Sequence, residues 1–370
     1  MPERKLSLNA VILAGGRGTR FWPRSRTRTP KQLLTIVGRT SMLEQTVARL
    51  RRLIPPQSIW SVTNAEQATA LRKQLPAPAR KHVLAEPVGK NTAAAIALAA
   101  IHIRHRAHGD ALMAVLPADH FISKPEHYRE VVENALAFAS EPGRIVVLGI
   151  PPTHPETGYG YVERTPEALM TGGCSVFAVR RFTEKPELAV AKEYVASGNY
   201  HWNAGMFFWR VSTYLDALKE FLPQTYVALE ELARHIGKRS YEPQLQKIYS
   251  RLENISVDYA ILERATRSPG AARVFVIPAE IGWSDVGSWG AVYELQAKQP
   301  GDNIFSGAGH ALDAHGNFFW APGKFVAAIG VHDLIVVETP DALLICPRDR
   351  AQDVGKIVKE LEARNRKKLF

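Results

Sequence analysis

The sequence predicts an α/β fold, a mixed but mainly parallel sheet flanked by helices, with a small β-rich segment after it. Two observations carry the sheet. Short β-branched apolar runs alternate with helical patterns from residue 9 to about residue 150, and the glycine-rich and charged stretches each follow one of those runs. Strand, crossover helix and strand form the repeating unit of a parallel sheet. A third observation, the change to short, spaced apolar pieces after Pro300, carries the β-rich segment.

Taken in order, residues 10–14, 59–63, 83–85, 112–116 and 145–149 read as strands, with helical patterns at 41–53, 66–75, 92–106 and 127–140 between them. Residues 151–300 are mixed, with strand-like 160–163, 176–182 and 206–211 among helices. The remainder contains the apolar stretch 333–345 and ends in a helix with a basic tail at 364–368. A large domain over 1–295 and a small one over 296–370 is the expected organisation. In parallel sheets, ligands bind beyond the carboxyl ends of the strands. Three polar loops lie there, 15–20, 86–92 and 117–120, so they should converge on one cleft.

Composition narrows the function classes. With 46% hydrophobic and 22% charged residues in a chain of 370, disorder and fibrous repeats are excluded. The net charge of +11 suits nucleic acid, a membrane surface or an anionic small substrate. Cys174 and Cys346 are far apart and lack partners at metal-ligand spacing, which speaks for a reducing cytoplasm and against a disulfide scaffold or structural zinc. The longest apolar run, 93–101, is too short for a bilayer, so no membrane helix is expected. Residues 1–12 faintly imitate a leader, but the run is brief and leads into glycines and arginines; they read as the first strand.

Glycines after a strand allow a tight turn that brings backbone N–H groups against a phosphate. Here Gly15, Gly16 and Gly18 follow Leu13 and Ala14. A dinucleotide fingerprint would need a small residue where Phe21 stands, and a P-loop would need Ser or Thr where Asn91 follows Gly89-Lys90. What remains is a glycine turn followed by Arg17, Arg20, Arg24, Arg26, Arg28 and Lys31, a mixture of forked and point charges that suits a polyphosphate. A solvated basic loop or a nonspecific nucleic-acid patch are the other readings; aromatics are not interleaved with the charge as in single-strand binders.

The residues Gly15-Gly16-Arg17-Gly18-Thr19-Arg20, Trp22-Pro23, Ser25-Arg26 and Pro30-Lys31-Gln32 resemble the signature of the sugar-1-phosphate nucleotidylyltransferases, in particular their mannose-1-phosphate guanylyltransferase branch. Supporting blocks follow in the family's order: Glu86-Pro87 to Asn91-Thr92, Asp119-His120, Gly158 to Tyr161, Glu184-Lys185-Pro186, Asn203-Ala204-Gly205 and Asp285 to Trp289. The resemblance covers nearly the whole chain. It implies a Rossmann-like nucleotide-diphospho-sugar transferase domain followed by a small left-handed β-helical domain that often contributes to dimer contacts. The chain is too short for the isomerase domain of two-function relatives, so the monofunctional form is expected.

The reaction so implied joins GTP and mannose 1-phosphate to give GDP-mannose and pyrophosphate. The nucleophile is already an anionic phosphate oxygen, so positioning and charge neutralisation are the main tasks. By resemblance, residues Leu13, Ala14, Gly15, Gly16, Arg17, Gly18 and Thr19 cradle the nucleotide, with Arg20 and Lys31 near the triphosphate and Glu86, Asn91 and Thr92 facing the base. Asp119 and Asp285 would hold Mg²⁺, an ion commonly bound by one or two carboxylates together with substrate phosphates. Lys185 would contact the sugar phosphate, Glu184 and Asn203 the sugar, and Gly160 would offer backbone.

Each assignment has a plainer competitor. Asp119, Asp285, Asn91 and Thr92 could be helix caps, Glu184 and Lys185 a surface ion pair, and Asn203 and Gly160 ordinary turn residues. His102, His105 and His108 read as partly buried helix histidines rather than metal ligands, and 49–52 as a solvated basic face. Thr183 and Ala94 depart from the family pattern without touching the proposed chemistry. A nucleotidylyltransferase for another base or sugar, such as glucose or a heptose, is the nearest alternative. A noncatalytic nucleotide-sugar sensor is the alternative from another class. Neither nucleic acid nor a membrane is an expected partner; a homodimer is.

Overall fold

The computed structural model describes residues 6–268, 270 and 272–370, so the first part of the leader-like stretch lies outside the described residues. Strands β1 (Ser7–Leu13), β2 (Ile59–Asn64), β3 (Val83–Glu86) and β4 (Ala111–Pro117) alternate with helices Met42–Leu50, Ala65–Gln74 and Asn91–Ala107. They lie in the order β3-β2-β1-β4, all parallel. The two-residue β5 (Phe121–Ile122) and helix Pro125–Ala139 lead to β6 (Arg144–Ile150), the hairpin β7 (Gly160–Thr171) and β8 (Cys174–Glu184), β9 (Tyr200–Arg210), β10 (Arg273–Pro278) and the short β11 (Trp283–Ser284). One nine-stranded sheet results, ordered β3-β2-β1-β4-β9-β6-β10-β8-β7.

The apolar runs become central strands because both sheet faces are covered. In β1, Ala10 and Ile12 enter one core and Val11 the other, all fully buried. Helix Asn91–Ala107 is apolar on nearly every side since helices Val211–Phe221 and Pro223–Ala233 pack over it. Helix Met42–Leu50 begins with a reciprocal cap between Ser41 and Glu44. Strand β9 runs antiparallel to β4 and β6, which carries its first residues to the carboxyl edge of both, with Asn203 opposite Gly149.

Beyond helix Trp289–Gln296 come β12 (Ile304–Phe305), β13 (Gly309–Leu312), β14 (Phe318–Trp320), β15 (Val326–Ile329), β16 (Leu334–Thr339) and β17 (Ala342–Pro347). Strands β12, β14 and β16 pair in parallel, as do β13 and β15, the alternation of a β-helix-like coil; β17 folds back on β16. Buried Asn317 ties successive coils, its side chain donating to Asn303 and to the Val331 carbonyl and accepting from the Leu334 amide. The apolar face of the coil joins Phe21, Trp22 and Trp289 in one core.

Two expectations need correction. Arg49 is buried rather than solvated, donating to the Thr46 hydroxyl and the His120 carbonyl, while Arg51 and Arg52 are exposed. Of the three helix histidines only His102 is tucked in, 2.6 Å from the Tyr241 hydroxyl; three-residue steps turn His105 and His108 out to solvent. Among the described residues no helix is long and apolar enough to cross a membrane.

Candidate active site

The loop after β1 is held by its carbonyls. Gln32 donates to the carbonyls of Ala14 at 2.7 Å and Gly16 at 3.1 Å, Thr63 also bonds Ala14, and the Ser25 hydroxyl bonds Gly18. Carbonyls fixed inward leave the opposite, amide-bearing edge of the turn for a ligand. Gly18 has no substitute here: its φ is +62°, and a Cβ would collide with the Lys31 Cβ. Beneath Gly15 lies buried Glu86, which accepts from the Tyr249 hydroxyl at 2.7 Å and whose carboxyl is pushed up by burial.

Lys31, 5% exposed, reaches from this loop to two others. Its ammonium donates to the Asp119 carboxylate at 2.8 Å and to the Asp285 main-chain carbonyl at 2.6 Å. Burial would raise the Asp119 carboxyl, but the charge and hydrogen bond of Lys31, with His120, outweigh it and hold the pKa below its ordinary value. The Asp285 carboxylate accepts from the Tyr159 hydroxyl at 2.7 Å. His120 is pushed down to about 4, chiefly by burial, and its Nδ1 accepts from the Trp283 indole. Neither aspartate is a helix cap, since helix Pro125–Ala139 starts after Lys124 and helix Trp289–Gln296 after Ser288, whose hydroxyl accepts from the Ala291 amide.

A cleft of about 1070 Å³ opens beside these groups. Arg20, Asp285, Gly160, Glu184, Lys185 and Asn203 are among the residues that line it. The start of β7 meets the end of β8, and a Cβ on Gly160 would lie 2.5 Å from a Glu184 carboxylate oxygen, so glycine makes room for that carboxyl. The Lys185 ammonium stands 3.2 Å from Glu184. Burial, then the neighbouring Asp258 carboxylate, pushes Glu184 up to about 7. Asp258, which sequence reasoning missed, begins the π-helical turn Asp258–Leu262 and accepts from the Asn203 amide at 2.9 Å. The Asn203 oxygen accepts from Gly205, which fixes the amide's orientation.

Non-glycine residues with left-handed backbone adjoin the site: Asn91 at φ 65°, Lys185 at 49° and Val286 at 48°. For a β-branched, fully buried valine that conformation is strained, and it directs the Asp285 carbonyl and carboxylate to different partners. Asn91 and Thr92 begin helix Asn91–Ala107, and the Thr92 hydroxyl accepts from the Val257 amide, next to Asp258.

Not every chosen residue faces the cleft. Leu13, Ala14, Gly15, Gly16 and Glu86 gather where β1 and β3 end, and Thr19 lies against Gly355. Arg17 turns to Glu362 at 2.6 Å, Arg26 to Asp341 at 3.1 Å, and Arg24 stacks over Trp320. Among the described residues no cluster of three or more His, Cys, Asp or Glu could hold a metal; Asp119 and Asp285 are the two aspartates that Lys31 links.

The nucleotidyl transferase family profile matches residues 9–300, and that of the mannose-phosphate isomerase/GMP-like β-helix domain matches 310–361. Mannose-1-phosphate guanylyltransferase ManC of Salmonella typhimurium is 38% identical over 99% of this chain and 75% of its own. The mannose-1-phosphate guanylyltransferase of Escherichia coli K12 is 38% identical over 97% of this chain and 74% of its own. A crystal structure described as a mannose-1-phosphate geranyltransferase, from Thermus thermophilus, superposes with a TM-score of 0.85 at 34% identity, over 96% of this chain and 100% of that one.

Proposed function

The chain belongs to the nucleotidyl transferase family, and on that premise we propose that it is a mannose-1-phosphate guanylyltransferase, moving GMP from GTP to mannose 1-phosphate. One observation carries the reading: Lys31 bonds both the Asp119 carboxylate and the Asp285 main-chain carbonyl beside a cleft that Glu184, Lys185 and Asn203 line. The charged lining suits phosphates and hydroxyls; a geranyl chain would need an apolar slot.

A phosphate oxygen of the sugar forms the new bond to the α-phosphorus while the bond to the bridging oxygen breaks, and pyrophosphate leaves with that electron pair. The amide edge of 15–19 holds the nucleotide, Arg20 and Lys31 offset the charge that builds on the departing pyrophosphate, and Lys185 steadies the sugar phosphate. Asp119 and Asp285 fit Mg²⁺ because both offer hard carboxylate oxygens and their two loops are joined through Lys31, which bonds the Asp119 carboxylate and the Asp285 main-chain carbonyl. When bound, the ion neutralises phosphate charge as a Lewis acid. Glu86 and the start of helix Asn91–Ala107 lie toward the base, and Glu184, oriented Asn203 and Asp258 meet sugar hydroxyls.

The domain boundary falls between 295 and 296. The homodimer is supported by apolar side chains exposed on the small domain, Phe325, Ile329 and Ile345 among them. A reducing cytoplasm suits free Cys174 and Cys346.

Pyrophosphate release measured across nucleoside triphosphates and sugar 1-phosphates, with an EDTA control, tests the assignment. Release confined to GTP with mannose 1-phosphate and abolished by EDTA is expected; release with another pair replaces the substrates, and unchanged release in EDTA removes the metal.

Glu184 gives a second test. A carboxylate accepts from sugar hydroxyls more strongly than a carboxylic acid. With its pKa raised to about 7, ionisation is gained as pH rises through that value. KM for mannose 1-phosphate should therefore fall by about threefold to tenfold between pH 6 and 8, and Glu184→Gln should flatten the change. An identical pH profile in the variant would remove Glu184 from the sugar site.

A further inference from the structure

We propose that Gln352 is a positioning residue, holding Arg20 in the cleft as an unneutralised charge; the inference rests on the guanylyl-transfer reading. Four arginines of the loop after β1 are each held by a residue of the C-terminal segment: Arg17 by Glu362, Arg20 by Gln352, Arg24 by Trp320 and Arg26 by Asp341. The partners differ in kind. Arg17 and Arg26 meet carboxylates, which cancel their charge. Arg24 stacks on an indole and donates to the Thr35 carbonyl, and burial lowers its pKa to about 10. Arg20 alone of the four lines the cleft, and it alone meets a neutral amide oxygen, 2.7 Å away.

A guanidinium has five N–H donors. An amide oxygen takes one, fixes the plane of the fork and leaves both the charge and the other donors for phosphate oxygens. Gln352 is itself placed by the 3₁₀ turn Arg348–Asp353, whose Arg348 and Asp349 also line the cleft. Arg20 stands beside Asp285, since a point 2.9 Å from the Asp285 carboxylate lies 3.5 Å from the Arg20 guanidinium. The C-terminal domain thus supplies part of the active-site wall and sets a cation beside Asp285, one of the two candidate metal ligands.

Steady-state kinetics with GTP, mannose 1-phosphate and Mg²⁺ on wild type, Gln352→Ala and Gln352→Glu test this. In Gln352→Ala, kcat should fall about tenfold, with KM for mannose 1-phosphate within about twofold, because a misplaced charge weakens the transition state. Glutamate accepts the same hydrogen bond, so a purely structural role predicts rescue by Gln352→Glu. The positioning role predicts instead that Gln352→Glu is slower than Gln352→Ala, since it cancels the charge that alanine leaves. In an Arg20→Ala background both substitutions should change kcat by less than about twofold. An active wild type with Gln352→Ala at the wild-type rate, or with Gln352→Glu faster than Gln352→Ala, overturns the role of Gln352 alone. A wild type inactive with this substrate pair overturns the guanylyl-transfer reading with it.

Discussion

Replacing Asp285 by asparagine is expected to lower kcat by about a thousandfold and to leave the chain folded. The Asp285 carboxylate accepts one hydrogen bond, from the Tyr159 hydroxyl, and an asparagine oxygen can accept the same bond. The main-chain carbonyl that holds Lys31 is untouched by the change. Shape and packing therefore survive, while a negative oxygen that Mg²⁺ would require is lost. Thermal unfolding should shift by only a few degrees as turnover collapses. A variant that turns over at nearly the wild-type rate would remove Asp285 from the metal site.

Lys31→Met should damage both rate and stability. The rate loss, about a hundredfold or more, follows from removing a preorganised cation beside the phosphates. The stability loss, about 2 kcal/mol, follows from leaving Asp119 without its counter-ion in a half-buried site. The two effects separate in a double variant. Lys31→Met with Asp119→Asn removes the orphaned charge, so unfolding in urea should return most of the way to wild type, yet turnover should stay as low as in Lys31→Met. Recovery of the rate along with stability would mean that neither Lys31 nor Asp119 takes part in turnover.

The sheet was legible because its strands obey simple physics: those buried on both faces read as continuous apolar runs, and the loops beyond their carboxyl ends carry the polar motifs. That the loop after β1 meets the loop after β4 followed from that geometry, although the bond that joins them comes from Lys31, beyond the glycine turn, to Asp119. What was not legible concerns partners distant in sequence. Arg17 and Arg26 read as phosphate ligands because nothing near them suggests otherwise; Glu362 and Asp341 lie more than 300 residues away. Arg49 read as solvated for the same reason, its acceptor at His120 being 71 residues off. Asp258 was hidden inside the apolar stretch 255–262, where a lone carboxylate among Ile, Val, Ala and Leu was itself the signal. Capping, a sound local rule, misdirects at Asp119 and Asp285, because Lys124 and Ser288 stand at the helix starts instead.

The central claim is that the sugar phosphate attacks the α-phosphorus directly while the protein supplies position and charge. The most direct test is the configuration at phosphorus after reaction of one diastereomer of guanosine 5′-O-(1-thiotriphosphate) with mannose 1-phosphate. A single in-line displacement predicts inversion in the thio-GDP-mannose formed. Retention would reveal two displacements through a guanylylated side chain, and would contradict the account.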